Sequence, residues 1–200
     1  MASASAPSRP VPAPSTGNDV NPLPPHATNL AALVGLFYDR IADLGDFEPV
    51  EAAAVPAPYQ QLLVHNHHMT VTVEAFHRCP VDVSVLAIQR EPDSYSRKIV
   101  LRRQTDGAVV QFGIVRLFIS TLAPEVFREV ERAFLPLGRV LIDQEVLRQV
   151  ACHELFRVRC GPDLAALFQT AAGAETYGRT ALIYCNGAPS IELLEIVCPA

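Results

Sequence analysis

The stretch SYSRKIVLRRQTDGAVVQFGIVRLFIS, residues 94–120, decides the fold of this chain. Its two halves alternate between apolar and other side chains as β-strands do, and the turn sequence QTDG separates them. Alternation places Arg97 on the same face as Ile99, and Arg116 on the same face as Ile114. A guanidinium among apolar neighbours costs free energy unless an anion meets it. The stretch therefore predicts a β-hairpin whose arginines need an anion.

Further elements are predicted on both sides of this hairpin. No internal repeat is visible, and strands in hairpins with helices between them favour an α+β domain, built on an antiparallel sheet of about six strands flanked by helices. The additional predicted strands are residues 69–76, 81–88, 154–160, 179–186 and 190–197. The predicted helices are residues 28–45, 124–134, 144–151 and 162–172, with a loop over 135–143.

The chain divides at about residue 28 in composition. The first 28 residues hold seven prolines, with serine, alanine and glycine between them. Proline at this density prevents helix formation and removes hydrogen-bond donors from any sheet. We therefore predict a disordered proline-rich tail over residues 1–28 and a single domain over residues 29–200.

The composition excludes several classes of protein. Half of the residues are hydrophobic, 18% are charged and the net charge is −5, which disfavours a general binder of nucleic acid or anionic membranes. No stretch approaches the roughly 18 apolar residues of a membrane span. Five cysteines without paired or metal-ligand spacing fit a reducing cytoplasm. We expect a cytoplasmic protein with a small-molecule partner, and the oligomeric state stays open.

Three histidines in the sequence HNHH, residues 65–68, are the conspicuous candidates for metal binding. His65 and His67 could share a strand face. The spacing matches no dedicated metal site, however, and no third ligand type lies nearby. We therefore predict no metal site at these histidines.

A glutamate near the C-terminus could pair with an arginine of the hairpin. In the strand SIELLEIV, alternation places Glu195 on one face with Leu193, and Glu192 on the opposite face. One interpretation is an internal Arg–Glu pair that stabilises the sheet. The other is a pocket in which arginines receive a carboxylated ligand and a carboxylate acts on a hydroxyl or a proton.

Five pieces of the sequence, in this order, resemble the chorismate pyruvate-lyase (4-hydroxybenzoate synthetase) family, in its bacterial branch related to plastid-encoded homologues. They are LLVHNHHMTVTVE, YSRKIVL, VVQFGIVRL, PLGRVL and TYGRTALIYCNGAPSIELLEIVCP, which run from about residue 62 to the C-terminus. The resemblance implies an antiparallel sheet with the ligand enclosed beneath helical flaps. It also implies cofactor-independent conversion of chorismate to 4-hydroxybenzoate and pyruvate.

The resemblance further implies roles for individual residues. Arg97 matches the family's substrate-carboxylate arginine and Glu195 its buried catalytic glutamate, with Glu192 left as a rival because the alignment needs a one-residue gap. Met69 and Leu137 match residues that line the product site, and we count Arg116 and Arg179 as further substrate-binding residues.

Two other functions stay open. One is a related enzyme of specialised metabolism that acts on another carboxylated cyclic or polyketide-like acid. The other is a non-catalytic small-molecule-binding domain of the same fold, as found in transcription regulators. A proline-rich tail rather than a DNA-binding helix-turn-helix precedes the domain, which weighs against the second.

Overall fold

A seven-stranded antiparallel sheet forms the centre of the structure, a computed structural model that describes residues 28–132 and 134–199. The strands lie in the order β1-β5-β6-β7-β4-β3-β2. They are β1 (Gly45–Val50), β2 (Val81–Arg90), β3 (Ser94–Arg103), β4 (Val109–Phe118), β5 (Arg148–Cys160), β6 (Glu175–Cys185) and β7 (Ala188–Val197).

Seven short helices of the described residues cover the two faces of this sheet. The front face carries α3 (Ala57–Leu63), α4 (Met69–His77), α5 (Pro124–Arg132) and α6 (Leu137–Asp143). The back face carries α1 (Leu30–Val34), α2 (Ile41–Leu44) and α7 (Pro162–Phe168). The predicted α+β class with an antiparallel sheet of about six strands and flanking helices is confirmed. Six of the predicted strands are present, and β1 is the seventh.

The predicted hairpin of residues 94–120 is confirmed as β3 and β4. Arg97 lies opposite Val115, and the turn contains Gly107 with a φ of +71°, which glycine adopts without strain. Alternation along β3 turns Arg97 and Ile99 toward the front face, so the arginine is buried where the sequence suggested.

Residues 69–76, predicted as a strand, form most of the helix α4. Met69, Thr70 and Val73 are buried whereas Val71 is 42% exposed, which is the spacing of one helix face. Burying this stripe against the front of the sheet outweighs the preference of valine and threonine for strands, because propensity is the weaker effect.

Other predicted boundaries are also corrected. The predicted loop of residues 135–143 contains α6, and the predicted helix of residues 144–151 is a turn that leads into β5. The predicted helix of residues 28–45 breaks after α1, where the Gly35 N–H bonds back to the carbonyls of Ala31 and Leu33. The strand β1 and the helix α3 were not predicted.

The predicted tail of residues 1–28 lies outside the described residues except for Thr28, whose backbone N–H donates to Nδ1 of His153 at 2.8 Å. The division of the chain at residue 28 therefore stays a prediction. No helix in the described part of the chain has the length and apolar character needed to cross a membrane.

Candidate ligand-binding site

A narrow cavity lies between the front of the sheet and the N-terminal ends of α4 and α6. Its volume of about 40 Å³ leaves room for a few water molecules only. The helix ends contribute His67, His68, Met69 and Thr70 on one side and Pro136, Leu137 and Gly138 on the other. The sheet contributes Ile99, Gln111, Gly113, Val115, Arg179, Leu193 and Glu195.

A buried ion pair between Arg179 and Glu195 forms the polar part of the cavity floor. The two residues lie directly opposite each other on β6 and β7, and Nε of Arg179 is 2.7 Å from Oε2 of Glu195. Arg179 is 1% exposed, and its Nη1 also donates to the carbonyls of Leu63 at 2.9 Å and His65 at 2.7 Å. Both charges are thus compensated within the protein, by an arginine of β6 and not by an arginine of the hairpin as the internal-pair interpretation proposed.

Arg97 is the buried arginine without a carboxylate partner in the described part of the chain. Its side chain is fully buried, and Nη1 donates to the carbonyl of Val130 on α5 at 3.1 Å. Nε and Nη2 have no hydrogen-bond partner among the described residues. Burial lowers the pKa of the guanidinium. Arg97 does not line the cavity itself, but its cross-strand partner Val115 and its same-face neighbour Ile99 do.

The structure separates the remaining predicted residues. Met69 and Leu137 line the cavity together with Arg179 and Glu195. Arg116 lies at the back of the sheet, where its Nη2 is 2.5 Å from Oε2 of Glu192. Glu192 and Arg116 therefore face away from the cavity, and the rival glutamate is not part of this site.

The N-terminal end of α4 is closed over the cavity by polar contacts. Nε of Arg148 donates to Nε2 of His68, and Nη1 of the same arginine donates to the carbonyl of Val146 at 3.0 Å. Partial burial, and then the neighbouring Arg148, lower the pKa of His68 to about 4. His68 is therefore neutral near pH 7 and accepts the hydrogen bond.

The two helix ends meet at Gly138. A Cβ atom at this position would lie 2.9 Å from Oγ1 of Thr70, so a larger residue would push α6 away from α4. A second contact joins the same helices, because Nη2 of Arg139 is 2.7 Å from Oε2 of Glu74. The N-terminal ends of α4 and α6 form the roof of the cavity, and they are held together by packing and by one ion pair.

The histidines do not assemble a metal centre in the described residues. A ring nitrogen of His65 lies 2.7 Å from the carbonyl of Leu62, and the ring of His67 stacks on that of His65. No group of three histidine, cysteine, aspartate or glutamate side chains among residues 28–132 and 134–199 could hold a metal ion. The absence of a metal or cofactor stays a prediction.

Sequence reasoning missed Gln111, Gly113 and Thr70 as cavity residues. Gln111 is a single amide within the otherwise apolar strand sequence VVQFGIV, and alternation puts it on the face of Gly113. That isolated amide was a usable signal. Thr70 has no such signal, because the alternation of residues 69–76 predicts a strand.

Comparisons with known proteins give a structural likeness only. No protein-family model and no curated protein matches the sequence. The effector domain of PhnF from Mycobacterium smegmatis matches with a TM-score of 0.51 and 12% identity, over 66% of this chain and 88% of that one. PhnF itself matches with a TM-score of 0.50 and 12% identity over 66% of this chain, and the match covers 63% of PhnF, less than two thirds.

A third similar structure is the ligand-binding domain of a protein assigned to the GntR family of transcriptional regulators, from Bordetella bronchiseptica. It matches with a TM-score of 0.45 and 12% identity, over 58% of this chain and 85% of that one. At this level of identity the likeness to the PhnF effector domain establishes the fold. The chain has the chorismate lyase-like α+β fold of such effector domains.

The comparisons correct the functional assignment made from the sequence. Membership of the chorismate pyruvate-lyase family, and with it the expected lyase activity, is wrong: no family model matches, and the structure that establishes the fold is an effector domain. A shared fold does not determine activity.

The first prediction concerns His68. A histidine whose pKa is depressed on folding adds stability that is fully present above the unfolded pKa of about 6.5 and is lost as the pH falls toward about 4. His68→Gln keeps an acceptor for Arg148 but does not titrate. We expect its melting temperature to fall less than that of the wild type between pH 6.5 and pH 4. If the melting temperatures of the wild type and His68→Gln fell equally between pH 6.5 and pH 4, His68 would not contribute to the pH dependence of stability.

The second prediction concerns the buried ion pair. Arg179→Met leaves Glu195 buried without its partner, so we expect a loss of about 3–5 kcal/mol in the free energy of unfolding, measured with urea. The double variant Arg179→Met/Glu195→Leu removes both charges and should recover part of this loss, because the carbonyls of Leu63 and His65 still lack their donor. A single variant as stable as the wild type would contradict the assigned role of the pair.

Proposed function

We propose that this domain is a non-catalytic binding module for a small carboxylate, and that the carboxylate is the missing partner of Arg97. The observation that carries the proposal is a fully buried guanidinium with two unpartnered N–H groups beside a cavity wall. A buried charge without compensation destabilises a protein by several kcal/mol. A ligand anion would remove that cost and be held strongly for the same reason.

The contrast with the other arginines of the central strands supports this proposal. Arg179 has Glu195 and Arg116 has Glu192, each at or below 2.7 Å. The chain thus supplies a carboxylate to two strand arginines and none, among the described residues, to Arg97. The hydroxyl of Tyr95, two residues earlier on the same face, also lacks a partner there. The guanidinium of Arg97 and the hydroxyl of Tyr95 are neighbouring donors, and both could donate hydrogen bonds to the oxygens of a carboxylate.

The surroundings suit a ligand with an apolar body. Ile99, Val115, Leu137 and Leu193 supply apolar walls. The N-terminal end of α4 lies at the cavity, and the dipole of this nine-residue helix adds positive potential there. We propose Met69 and Leu137 as contacts to the ligand body.

A binding role fits better than an enzymatic one. Glu195, the carboxylate that would act as a general acid or base, is neutralised by Arg179 at 2.7 Å. The fold is that of the effector domain of PhnF, and we propose the same kind of role for this chain. We also predict that this domain does not bind nucleic acid.

The third prediction tests Arg97. Calorimetric titration of the wild type with benzoate and phenylacetate should give binding, and Arg97→Met should weaken it by at least about tenfold, since hydrogen bonds to charged groups are worth about 1.5–3 kcal/mol. Without ligand, Arg97→Met should be at least as stable as the wild type, because an uncompensated buried charge is removed.

Arg116→Met is the matched control for this experiment. It makes the same chemical change on the back of the sheet, and we expect unchanged carboxylate binding. Failure of both carboxylates to bind the wild type would overturn the proposal. So would equal binding by the wild type and Arg97→Met.

A further inference from the structure

Gln111 carries another unused polar group and, unlike Arg97, lines the cavity itself. It lies on β4, is 3% exposed and lines the cavity from the sheet side. Its Oε1 has no hydrogen-bond partner among the described residues. The residues opposite it in the sheet are Leu101 on β3 and Val197 on β7, neither of which has a polar side chain.

This arrangement is unfavourable in the free protein. An unsatisfied buried amide loses its hydrogen bonds to water, whereas an apolar side chain of similar size would lose nothing. The next residue on the same face is Gly113, where a Cβ would lie 3.3 Å from Cγ1 of Ile99. That space is already filled by Ile99, whereas Gln111 itself lines the cavity, so a group bound in the cavity is a partner within its reach.

We infer that Gln111 binds a hydroxyl group of the ligand and so selects hydroxylated carboxylates. The inference rests on the proposed function, because it names the class of ligand that the same site takes. A hydroxyl both donates and accepts, so it satisfies the amide whichever way the amide is turned. A second carboxylate does not meet this requirement, because Oε1 repels it.

The register of the sheet sets the distance between the two ends of the ligand. Arg97 lies opposite Val115, which is four residues from Gln111 along β4, or about 13 Å of strand. The long side chains of Arg97 and Gln111 span part of this distance. The hydroxyl and the carboxylate must therefore sit at opposite ends of the ligand rather than on neighbouring carbons.

The fourth prediction tests whether Gln111 binds a hydroxyl at the end of the ligand opposite the carboxylate. It uses four probes: phenylacetate, its 4-methyl and 4-hydroxy derivatives, and 2-hydroxyphenylacetate. Calorimetry on the wild type should show 4-hydroxyphenylacetate binding about tenfold more tightly than the size-matched 4-methyl compound. The 2-hydroxy isomer should show no such gain over phenylacetate. In Gln111→Met the preference for the 4-hydroxy over the 4-methyl compound should disappear.

Gln89→Met is the matched control, because Oε1 of Gln89 on the edge strand β2 is also buried without a partner among the described residues but lies outside the cavity. It should keep the hydroxyl preference. Ligand-free Gln111→Met should melt at or above the wild-type temperature. A lower melting temperature would mean that Gln111 is structural and would count against the inference.

The outcomes separate the two proposals. Binding of the probes with the same hydroxyl preference in the wild type and Gln111→Met overturns the role of Gln111 and leaves the carboxylate site intact. Binding of none of the four probes overturns the proposed function, and the inference falls with it.

Discussion

The buried pair of Arg179 and Glu195 is the interaction on which both the floor and the roof of the cavity depend. It joins β6 to β7 at a single register and places two compensated charges under the cavity. The same guanidinium holds the carbonyls of Leu63 and His65, so it also fixes the segment between α3 and α4. That segment delivers His67 and His68 to the cavity. Without the pair, the sheet and the helix that covers it would lose their common anchor.

Two buried arginines on one face of the sheet thus have different physical roles. The charge of Arg179 is compensated by Glu195, and removing the arginine would leave this glutamate buried without a partner, which destabilises the protein. Arg97 is held by one carbonyl of α5, and its Nε and Nη2 have no hydrogen-bond partner among the described residues. The first arginine stabilises the fold, and the second is the one that we propose to bind the ligand. Opposite effects of the two arginine-to-methionine substitutions on stability follow from this difference.

The small volume of the cavity links binding to movement of the helices. A cavity of about 40 Å³ cannot hold a ring with a carboxylate, so a ligand has to separate the N-terminal ends of α4 and α6. The contacts that resist this are the close packing at Gly138, the Arg139–Glu74 pair and the hydrogen bond between Arg148 and His68. A ligand that binds the separated form shifts the population toward it.

The sequence by itself determined the features that depend on local alternation. The hairpin of residues 94–120, the burial of Arg97 beside Ile99 and the opposite faces of Glu195 and Glu192 all follow from the period of two along a strand. Only the tertiary structure decided that residues 69–77 are a helix, because the same valines and threonines suit either state until a sheet lies beneath them. It also decided that Glu195 pairs with Arg179 rather than Arg97, and that Oε1 of Gln111 has no hydrogen-bond partner among residues 28–132 and 134–199. Those facts depend on the order of strands in the sheet, which brings together residues far apart in the chain and which no local pattern records.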